Sequence, residues 1–138
     1  MADRIDQMLH MELLLAPEES VALRARLSYR RGDPFAVRLT FHTGVHDLVH
    51  WVFARGLLSR GTREPSGRGD VRVWPDGSGP EALLHLTLSS PHGHARLRTP
   101  LQTVAEWLKR TYLLVPEGRE SYEVSLDTEL SRLLHGAA

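Results

Sequence analysis

The sequence predicts an α+β fold in which an antiparallel sheet of about seven strands carries two or three helices. The first hundred residues alternate apolar and polar side chains, the period of a sheet with one face on a core and the other in water. A helical period replaces this alternation from residue 101 onward. The length of 138 residues suits one unit, so we expect a single domain over 1–138.

Five alternating runs define the clearest strands, and turn residues separate them. The apolar positions of these runs lie within Leu9–Leu15, Leu23–Tyr29, Phe35–Phe41, Leu84–Leu88 and Ala95–Leu97. Between the last two runs, Ser90-Pro91-His92-Gly93 predicts a hairpin. Pro75-Asp76-Gly77 predicts a further turn.

The segment 45–53 fits either a helix or a strand. Its apolar residues have helical spacing at 45, 48, 49 and 52, but alternate at 49, 51 and 53. The β-branched and aromatic side chains, with Gly44 upstream, favour a strand over about residues 47–53. A helical turn from Ala54 to Arg60, capped by Gly61, is expected to follow.

Two longer helices are predicted in the last forty residues. Thr99, Pro100 and Gln102 resemble an N-cap, a first-turn proline and a capping-box partner. The helical stripe that follows comprises Leu101, Val104, Ala105, Leu108, Tyr112 and Val115, and it stops at Pro116. The second helix is expected to begin near Ser125 or Asp127 and to end at Gly136. One face of it carries Leu126, Leu130, Leu133 and Leu134.

Composition excludes several classes of function. The absence of cysteine removes disulfides, thiolate zinc sites and cysteine nucleophiles. Equal numbers of basic and acidic residues, 17 each, disfavour a globally cationic nucleic-acid binder. The first fifteen residues match neither a signal peptide nor a membrane span, so a cytoplasmic location is expected.

No catalytic motif stands out. His42, His46 and His50 recur every four residues, a spacing that suits metal ligation on a continuous helix, but Gly44 weakens such a helix. Solvated or paired histidines are the favoured interpretation, and no metal or cofactor is expected. Without a nucleophile motif or a phosphate-binding glycine loop, the sequence does not indicate an enzyme.

The polar side of the strands is rich in arginine. The predicted outward positions include Arg24, Arg26, Arg38, Arg96 and Arg98. If these strands share a sheet, its exposed face carries an arginine stripe able to engage phosphates or an acidic protein surface. Single-stranded nucleic acid is therefore the alternative ligand, although aromatic residues for base stacking are not interleaved there. The default interpretation is a solvated face with acidic neighbours such as Glu12.

Large aromatic residues are the apparent anchors of the core. They are Trp51, Phe53, Trp74 and Trp107. Packing in the core is the default for each, and an oligomer or partner interface is the alternative, because aromatic residues are enriched at interfaces.

Several short blocks carry a family resemblance. In chain order they are Asp33-Pro34-Phe35-Ala36-Val37, Phe41-His42-Thr43-Gly44, Trp51-Val52-Phe53-Ala54-Arg55, Gly69-Asp70-Val71-Arg72-Val73-Trp74-Pro75, Leu88-Ser89-Ser90-Pro91, Leu108-Lys109-Arg110-Thr111 and Val115-Pro116-Glu117-Gly118. Their order and spacing resemble the SsgA-like proteins, small actinobacterial regulators of sporulation-specific cell division. The resemblance covers most of the chain.

The resemblance implies more than the residues do by themselves. It implies an antiparallel β domain with packed helices, similar to the Whirly and mitochondrial guide-RNA-binding proteins and assembled as a bell-shaped homotrimer. It implies a non-enzymatic regulator that acts at the division septum by positioning septum or wall-remodelling machinery through protein contacts. One branch of the family recruits the tubulin-like division protein FtsZ, so FtsZ or a septum-site regulator is an expected partner.

The signature residues are interpreted as architecture rather than chemistry. They are Asp33, Pro34, Trp51, Phe53, Gly69, Asp70 and Trp74. Pro34 and Gly69 are expected at bends, and the tryptophans as packing anchors. Loops 61–70 and 76–81 are the expected interface segments, because loops carry function disproportionately. Arg63 and Arg68 therefore join Arg24, Arg26 and Arg38 as candidate partner-binding residues.

Overall fold

The computed structural model of the chain describes residues 3–43 and 48–135 and contains, within these ranges, seven strands and three helices. The strands are β1 (Arg4–Ala16), β2 (Glu19–Arg30), β3 (Ala36–His42), β4 (Leu48–Ala54), β5 (Val71–Asp76), β6 (Leu83–Ser90) and β7 (Gly93–Pro100). The helices are α1 (Arg55–Gly61), α2 (Leu101–Leu114) and α3 (Glu120–Leu134), and a 3-10 turn covers Gly79–Glu81. The predicted α+β class is confirmed.

All seven strands belong to one antiparallel sheet, in the order β4-β3-β2-β1-β7-β6-β5. The chain leaves β4 at one edge and enters β5 at the other. Helix α1 lies on this crossing and contacts both edge strands. A single short helix can touch both edges because the sheet curls around the core.

The core lies between the inner face of the sheet and helix α2. Each strand contributes its alternate apolar residues to one continuous buried cluster, which also includes Val104, Trp107 and Leu108 of α2. Trp107 is fully buried, and its indole Nε1 donates a hydrogen bond to the backbone carbonyl of Ile5 at 3.1 Å. The core role predicted for Trp107 is confirmed, and this bond fixes α2 against β1.

The strand interpretation of the ambiguous segment is confirmed for the residues that the structure describes. Leu48–Ala54 pairs with Ala36–His42 along its whole length. Residues 44–47, which include Gly44 and His46, lie outside the described ranges. The predicted hairpin at Ser90–Gly93 is also confirmed, since Ser90 pairs with Gly93 to close β6 on β7.

The predicted N-cap at Thr99 is wrong. Thr99 is a buried residue of β7 that pairs with Leu84, and its hydroxyl donates to the carbonyl of His10 at 3.1 Å. Pro100 occupies the N-cap position of α2, without a side-chain cap. Pairing of β7 with β6 extends to Pro100, the last residue before the helix. The hydroxyl of Thr99 is bonded to β1 and is therefore unavailable to cap α2.

The last helix begins earlier than predicted. It starts at Glu120 rather than near Ser125 or Asp127, and Gly118, with φ of +91°, lies just before it. Glu120 and Glu123 place carboxylates in the first turn, where they complement the helix dipole. The apolar periodicity that suggested the later start covers only part of the helix. Gly136, the predicted end, lies outside the described residues.

Gly61 serves a different purpose from the predicted left-handed cap. It is the buried last residue of α1, Thr62 is the C-cap, and Gly61 is absent from the glycines with positive φ. A Cβ at Gly61 would overlap the side chain of Val73. Glycine is therefore required here by the close approach of α1 to β5.

Candidate functional site

The outward face of the sheet gathers arginines from five strands. Residues directly opposite each other on antiparallel strands point to the same face, and the register follows this face from β4 to β5. Its arginines are Arg4, Arg24, Arg26, Arg30, Arg38, Arg72, Arg96 and Arg98. We call this surface the arginine face. The five arginines of the predicted stripe do share one face, and the structure adds three more.

On the described strands, three carboxylates share the arginine face, and each is already engaged. Asp6 accepts from Arg4 at 2.9 Å, and Glu12 accepts from Arg98 at 2.9 Å. On the outermost strand, Asp76 contacts His85 at 3.0 Å. Glu12, the acidic neighbour expected from the sequence, is thus present on this face. Its salt bridge is with Arg98 alone among the arginines of the predicted stripe.

The pKa values of two of these carboxyls reflect their cationic surroundings. Burial acts to raise the pKa of Asp6, but the hydrogen bond from Arg4 and the charges of Arg4 and Arg26 together lower it. Hydrogen bonds from Arg98 and Ser20 lower the pKa of Glu12. Both groups therefore hold their negative charge more firmly than an isolated carboxyl does.

Trp74 lies on the arginine face rather than in the core. It is half-buried on the outer strand β5, and its ring stacks on His85 with centroids 5.4 Å apart. The core packing predicted for Trp74 is wrong, because Trp74 lies in register with the outward-facing His85 whereas its neighbour Val73 points inward. Val71, Val73 and Trp74 are all apolar, but the alternation of a strand places Trp74 on the face opposite to Val71 and Val73.

Arg63 and Arg68 lie on a different surface from the other candidates. Both are exposed in the loop between α1 and β5. Arg63 borders a groove that Tyr112 of α2 and Glu117 also line. The sequence-predicted partner residues therefore separate into two sites, the arginine face and the helix-side loop.

The signature residues of the first block shape the turn between β2 and β3. Pro34 is buried, and its carbonyl accepts a hydrogen bond from the hydroxyl of Tyr29 at 2.9 Å. Asp33 is exposed, and its backbone bonds both sides of the turn, to Arg30 and Ala36. The expected architectural role fits both positions.

Gly69 and Asp70 precede β5 in an exposed bend. The carbonyl of Asp70 accepts a hydrogen bond from the backbone of Ser89 at 2.8 Å, which anchors the start of β5 on β6. The backbone conformation that favours glycine belongs to Gly67, with φ of +93°. A Cβ at Gly67 would also collide with the carbonyl of Val71. Glycine is thus needed two residues before the predicted position.

Phe53 and Trp51 both point to the inner face from the edge strand β4. Phe53 is buried in the core, whereas Trp51 is half-buried. Trp51 lines an apolar pocket of about 310 Å³ that Leu13, Leu23 and Val49 also border. The anchor role predicted for Phe53 is confirmed, and Trp51 anchors the open end of the core.

Arg55 is the residue that sequence reasoning missed. Its side chain is 1% exposed, and its Nη1 donates to the carbonyls of Thr111 and Val115 at 3.0 and 2.9 Å. Its Nη2 donates to Glu120 at 3.1 Å. One guanidinium therefore caps the C-terminus of α2 and holds the first residue of α3. The available signal was a single arginine in the apolar block Trp51-Val52-Phe53-Ala54-Arg55.

Two tyrosine rings complete the environment of Arg55. The guanidinium carbon lies 3.9 Å from the ring centre of Tyr112 and 4.7 Å from that of Tyr29. Burial raises the pKa of Tyr29 to about 12, so its hydroxyl stays protonated and can donate to Pro34. The charge is thus held by carbonyls, a carboxylate and aromatic faces together.

The histidines do not assemble a metal centre in the described part of the chain. His42 and His50 lie on neighbouring strands of the arginine face, and His50 Nδ1 is 3.0 Å from the hydroxyl of Thr40. His46, the third member of the predicted set, lies outside the described residues. Across residues 3–43 and 48–135, no three histidine, aspartate or glutamate residues are placed to hold a metal ion.

Within the described residues, the helices are all too short or too polar to cross a bilayer.

Comparison with known proteins identifies the family. The model described as "Streptomyces sporulation and cell division protein, SsgA" matches residues 23–120, which include the arginine face from Arg24 onward and Arg55 with its partners. The chain belongs to the SsgA family. The resemblance predicted from the short blocks is confirmed.

Relatives in the SsgA family match most of the chain. The sporulation-specific cell division protein SsgB of Streptomyces coelicolor is 46% identical over 126 residues, which is 91% of this chain and 92% of SsgB. SsgB of Thermobifida fusca is 42% identical over 124 residues, 90% of each chain. A role in sporulation-associated cell division follows for this SsgA-family chain.

Solved structures of the family share the fold. The SsgA-like sporulation-specific cell division protein from Thermobifida fusca has a TM-score of 0.85 at 40% identity and covers 94% of both chains. A structure from work on SsgB mutations and longitudinal cell division in Streptomyces coelicolor has a TM-score of 0.83 at 43% identity. It covers 87% of this chain and 94% of its own. The curled seven-stranded sheet with its helices is therefore the family architecture.

Proposed function

We propose that this SsgA-family chain is a non-enzymatic regulator of sporulation-specific cell division that acts through protein contacts. It positions septum or wall-remodelling machinery, and FtsZ is the partner to test first. The observation that carries the proposal is the 46% identity to SsgB over 91% of the chain. In the cell, the place of action is the division septum.

The surface of the domain supports a role in protein contacts. The arginine face and the helix-side loop with Arg63 and Arg68 are both exposed. The strongly buried polar groups near the helices are already engaged: Arg55 holds helix ends together, and the hydroxyl of Thr111 donates to the carbonyl of Leu108 within α2. The polar groups that are free to act are therefore those of exposed surfaces.

Assembly as a homotrimer is part of the proposal. Helix α3 leaves a stripe of apolar side chains exposed, Leu126, Leu130, Leu133 and Leu134. Exposed apolar patches of this kind mark interaction surfaces, and closed symmetric oligomers are the usual way to cover them. Exposed apolar side chains also occur on the arginine face, among them Met8 and Val52.

Light-scattering mass measurement tests the assembly and the partner together. We expect the purified chain to have the mass of a trimer and to co-elute with FtsZ when the two are mixed. A monomer at tens of micromolar would reject the trimer. A trimer that ignores FtsZ would reject that partner and leave a family member that serves another wall-remodelling protein.

Paired variants locate the self-contact on α3. Leu130→Glu with Leu133→Glu places charges in the exposed stripe and should convert the trimer to monomers. Leu113→Glu is the control, because Leu113 is 83% exposed on α2, away from the stripe. Equal masses for both variants would exclude the α3 stripe as the contact.

The helix-side loop is tested separately. Arg63→Glu with Arg68→Glu should weaken capture of FtsZ without unfolding the domain, because both side chains are exposed. Unchanged capture of FtsZ by this double variant would exclude the loop as the contact for FtsZ.

Binding of single-stranded nucleic acid is the second candidate function. The observation in its favour is that the predicted arginines do share one sheet face. Base stacking needs aromatic platforms, and Trp74, on the outermost strand, already stacks on His85. A labelled oligonucleotide whose anisotropy stays flat at low salt would reject this function, since phosphate-driven binding is strongest there.

A further inference from the structure

The chain is electrically neutral as a whole, but the sheet separates its charges. Across the described strands, the arginine face carries eight arginines and three carboxylates, a formal excess of five positive charges. Because the formal net charge is zero, the rest of the chain carries a matching negative excess. A net charge of zero therefore conceals an excess of positive charge on this face of the sheet.

Within residues 3–43 and 48–135, most of the arginines on this face form no salt bridge. The carboxylates are taken by Arg4, Arg98 and His85. Among the residues that the structure describes, those in salt bridges do not include Arg24, Arg26, Arg30, Arg38, Arg72 or Arg96. The Nε of Arg26 is in addition buried without a hydrogen-bond partner. The exposed members of this set have donors available for a ligand, and they are Arg24, Arg30, Arg38, Arg72 and Arg96.

The arrangement suits carboxylates presented by a polypeptide. Neighbouring strands lie about 4.8 Å apart and same-face residues of one strand about 7 Å apart, so the guanidinium groups form a two-dimensional array. A guanidinium binds a carboxylate through two parallel hydrogen bonds. Apolar side chains lie among the arginines, since Met8 is 43% exposed beside Arg26 and Val52 is 55% exposed beside Arg38. A partner with apolar side chains among its carboxylates would match both features.

We propose that the arginine face docks an acidic polypeptide segment whose carboxylates alternate with apolar side chains. The inference rests on the proposed function, because it names the chemistry of the protein partner and the surface that receives it. A polynucleotide fits less well, because it would leave the apolar side chains unused and would find few rings for stacking.

Fluorescence anisotropy with defined probes tests this docking site. The first probe is a fluorescein-labelled peptide of repeating Asp-Glu-Leu-Ser, and the second replaces its Asp and Glu with Asn and Gln. The third probe is labelled oligothymidine. We expect the acidic peptide to bind with an affinity that falls as salt is raised, and the neutral peptide to stay unbound.

Two charge-reversal variants locate the binding. Arg24→Glu with Arg96→Glu changes two exposed positions of the arginine face and should weaken binding of the acidic peptide by roughly tenfold or more. The matched control is Lys109→Glu with Arg132→Glu, which makes the same change in net charge at exposed positions of α2 and α3. The control should bind as the unmodified chain does.

Three results would overturn the inference. They are an unbound acidic peptide, equal losses in both variants, and binding of oligothymidine in place of the peptide. The outcome is separable from the FtsZ experiment. A trimer that captures FtsZ but leaves the peptide unbound would reject the docking site alone. A chain that binds the peptide on this face but ignores FtsZ would keep the site and reject the named partner.

Discussion

Arg55 and Glu120 form a salt bridge of 3.1 Å that joins the first residue of α1 to the first residue of α3. The two residues are 65 positions apart in the sequence. The arginine also caps α2, so all three helices meet at one buried guanidinium. The exposed α3 stripe proposed as the trimer contact therefore depends on Arg55 for its placement.

Removing Arg55 should destabilise the domain strongly. Arg55→Ala leaves Glu120 and two helix-end carbonyls without their donor, and loss of one partner of a buried pair costs about 3–5 kcal/mol. Arg55→Lys should also be destabilising, because an ammonium cannot reproduce the planar fork that reaches Thr111, Val115 and Glu120. Urea denaturation measures both changes in unfolding free energy.

Arg60 supplies the control for Arg55. It pairs with Glu64 at 3.8 Å, with both side chains 65% exposed. Arg60→Ala should change the unfolding free energy by less than about 1 kcal/mol. Similar values for the two alanine variants would contradict the role assigned to the buried pair.

Acid should weaken the attachment of α3. Burial acts to raise the pKa of Glu120, but hydrogen bonds from backbone N–H groups and from Arg55, and the charge of Arg55, lower it overall. A carboxyl with a lowered pKa stabilises the folded state when ionised. Its contribution is complete above the unfolded value of about 4.5 and is lost as pH falls through the folded pKa.

Denaturation midpoints measured between neutral and acid pH check this prediction. Glu120→Gln should lower stability at neutral pH and reduce its loss toward acid. Glu12→Gln is the comparison, because the pKa of Glu12 is lowered as well, but on the arginine face and without a link to α3. If the Glu120→Gln variant lost as much stability toward acid pH as the unmodified chain, other carboxyls would be responsible for the acid dependence.

Two glycines of α1 should respond in opposite ways to alanine. Gly61→Ala forces a methyl group against Val73, which is completely buried, and overpacking of this kind costs about 1–3 kcal/mol. Gly56→Ala meets open space within the same helix and should be neutral or stabilising by up to about 1 kcal/mol. Thermal denaturation measures the stability of both variants. Equal melting temperatures for the two would contradict the close packing of α1 on β5.

Two tryptophans should differ in their contribution to stability. Trp107→Ala empties the centre of the core and should cost about 3–5 kcal/mol. Trp74→Ala removes a half-buried ring stacked on His85 and should cost less, about 1–2 kcal/mol, for the stacked pair and the area that the ring buries. Chemical denaturation of both variants measures the difference, and a Trp74 variant as unstable as the Trp107 variant would place Trp74 in the core after all.

Local pattern was a reliable guide where one physical rule decided the structure. Alternation predicted the strands because only one face of this sheet meets the core, and the same rule placed Arg24, Arg26 and Arg38 together on the other face. It failed at Trp74, where an aromatic residue lies on the outward parity of an edge strand. It failed at Thr99 and Gly61 because neighbours distant in sequence, His10 and Val73, decide what those residues do.

Sequence by itself determined the class of fold, the outward position of the arginines on their strands and, through the order of its short blocks, the family. Each of these depends on the periodicity or spacing of residues close in the chain. The tertiary structure alone decided that Arg55 joins the three helices, and that Arg63 and Arg24 belong to different surfaces. These relationships arise because the sheet curls and α1 crosses between its two edges. The curl brings residues more than fifty positions apart into contact, and no local pattern records such contacts.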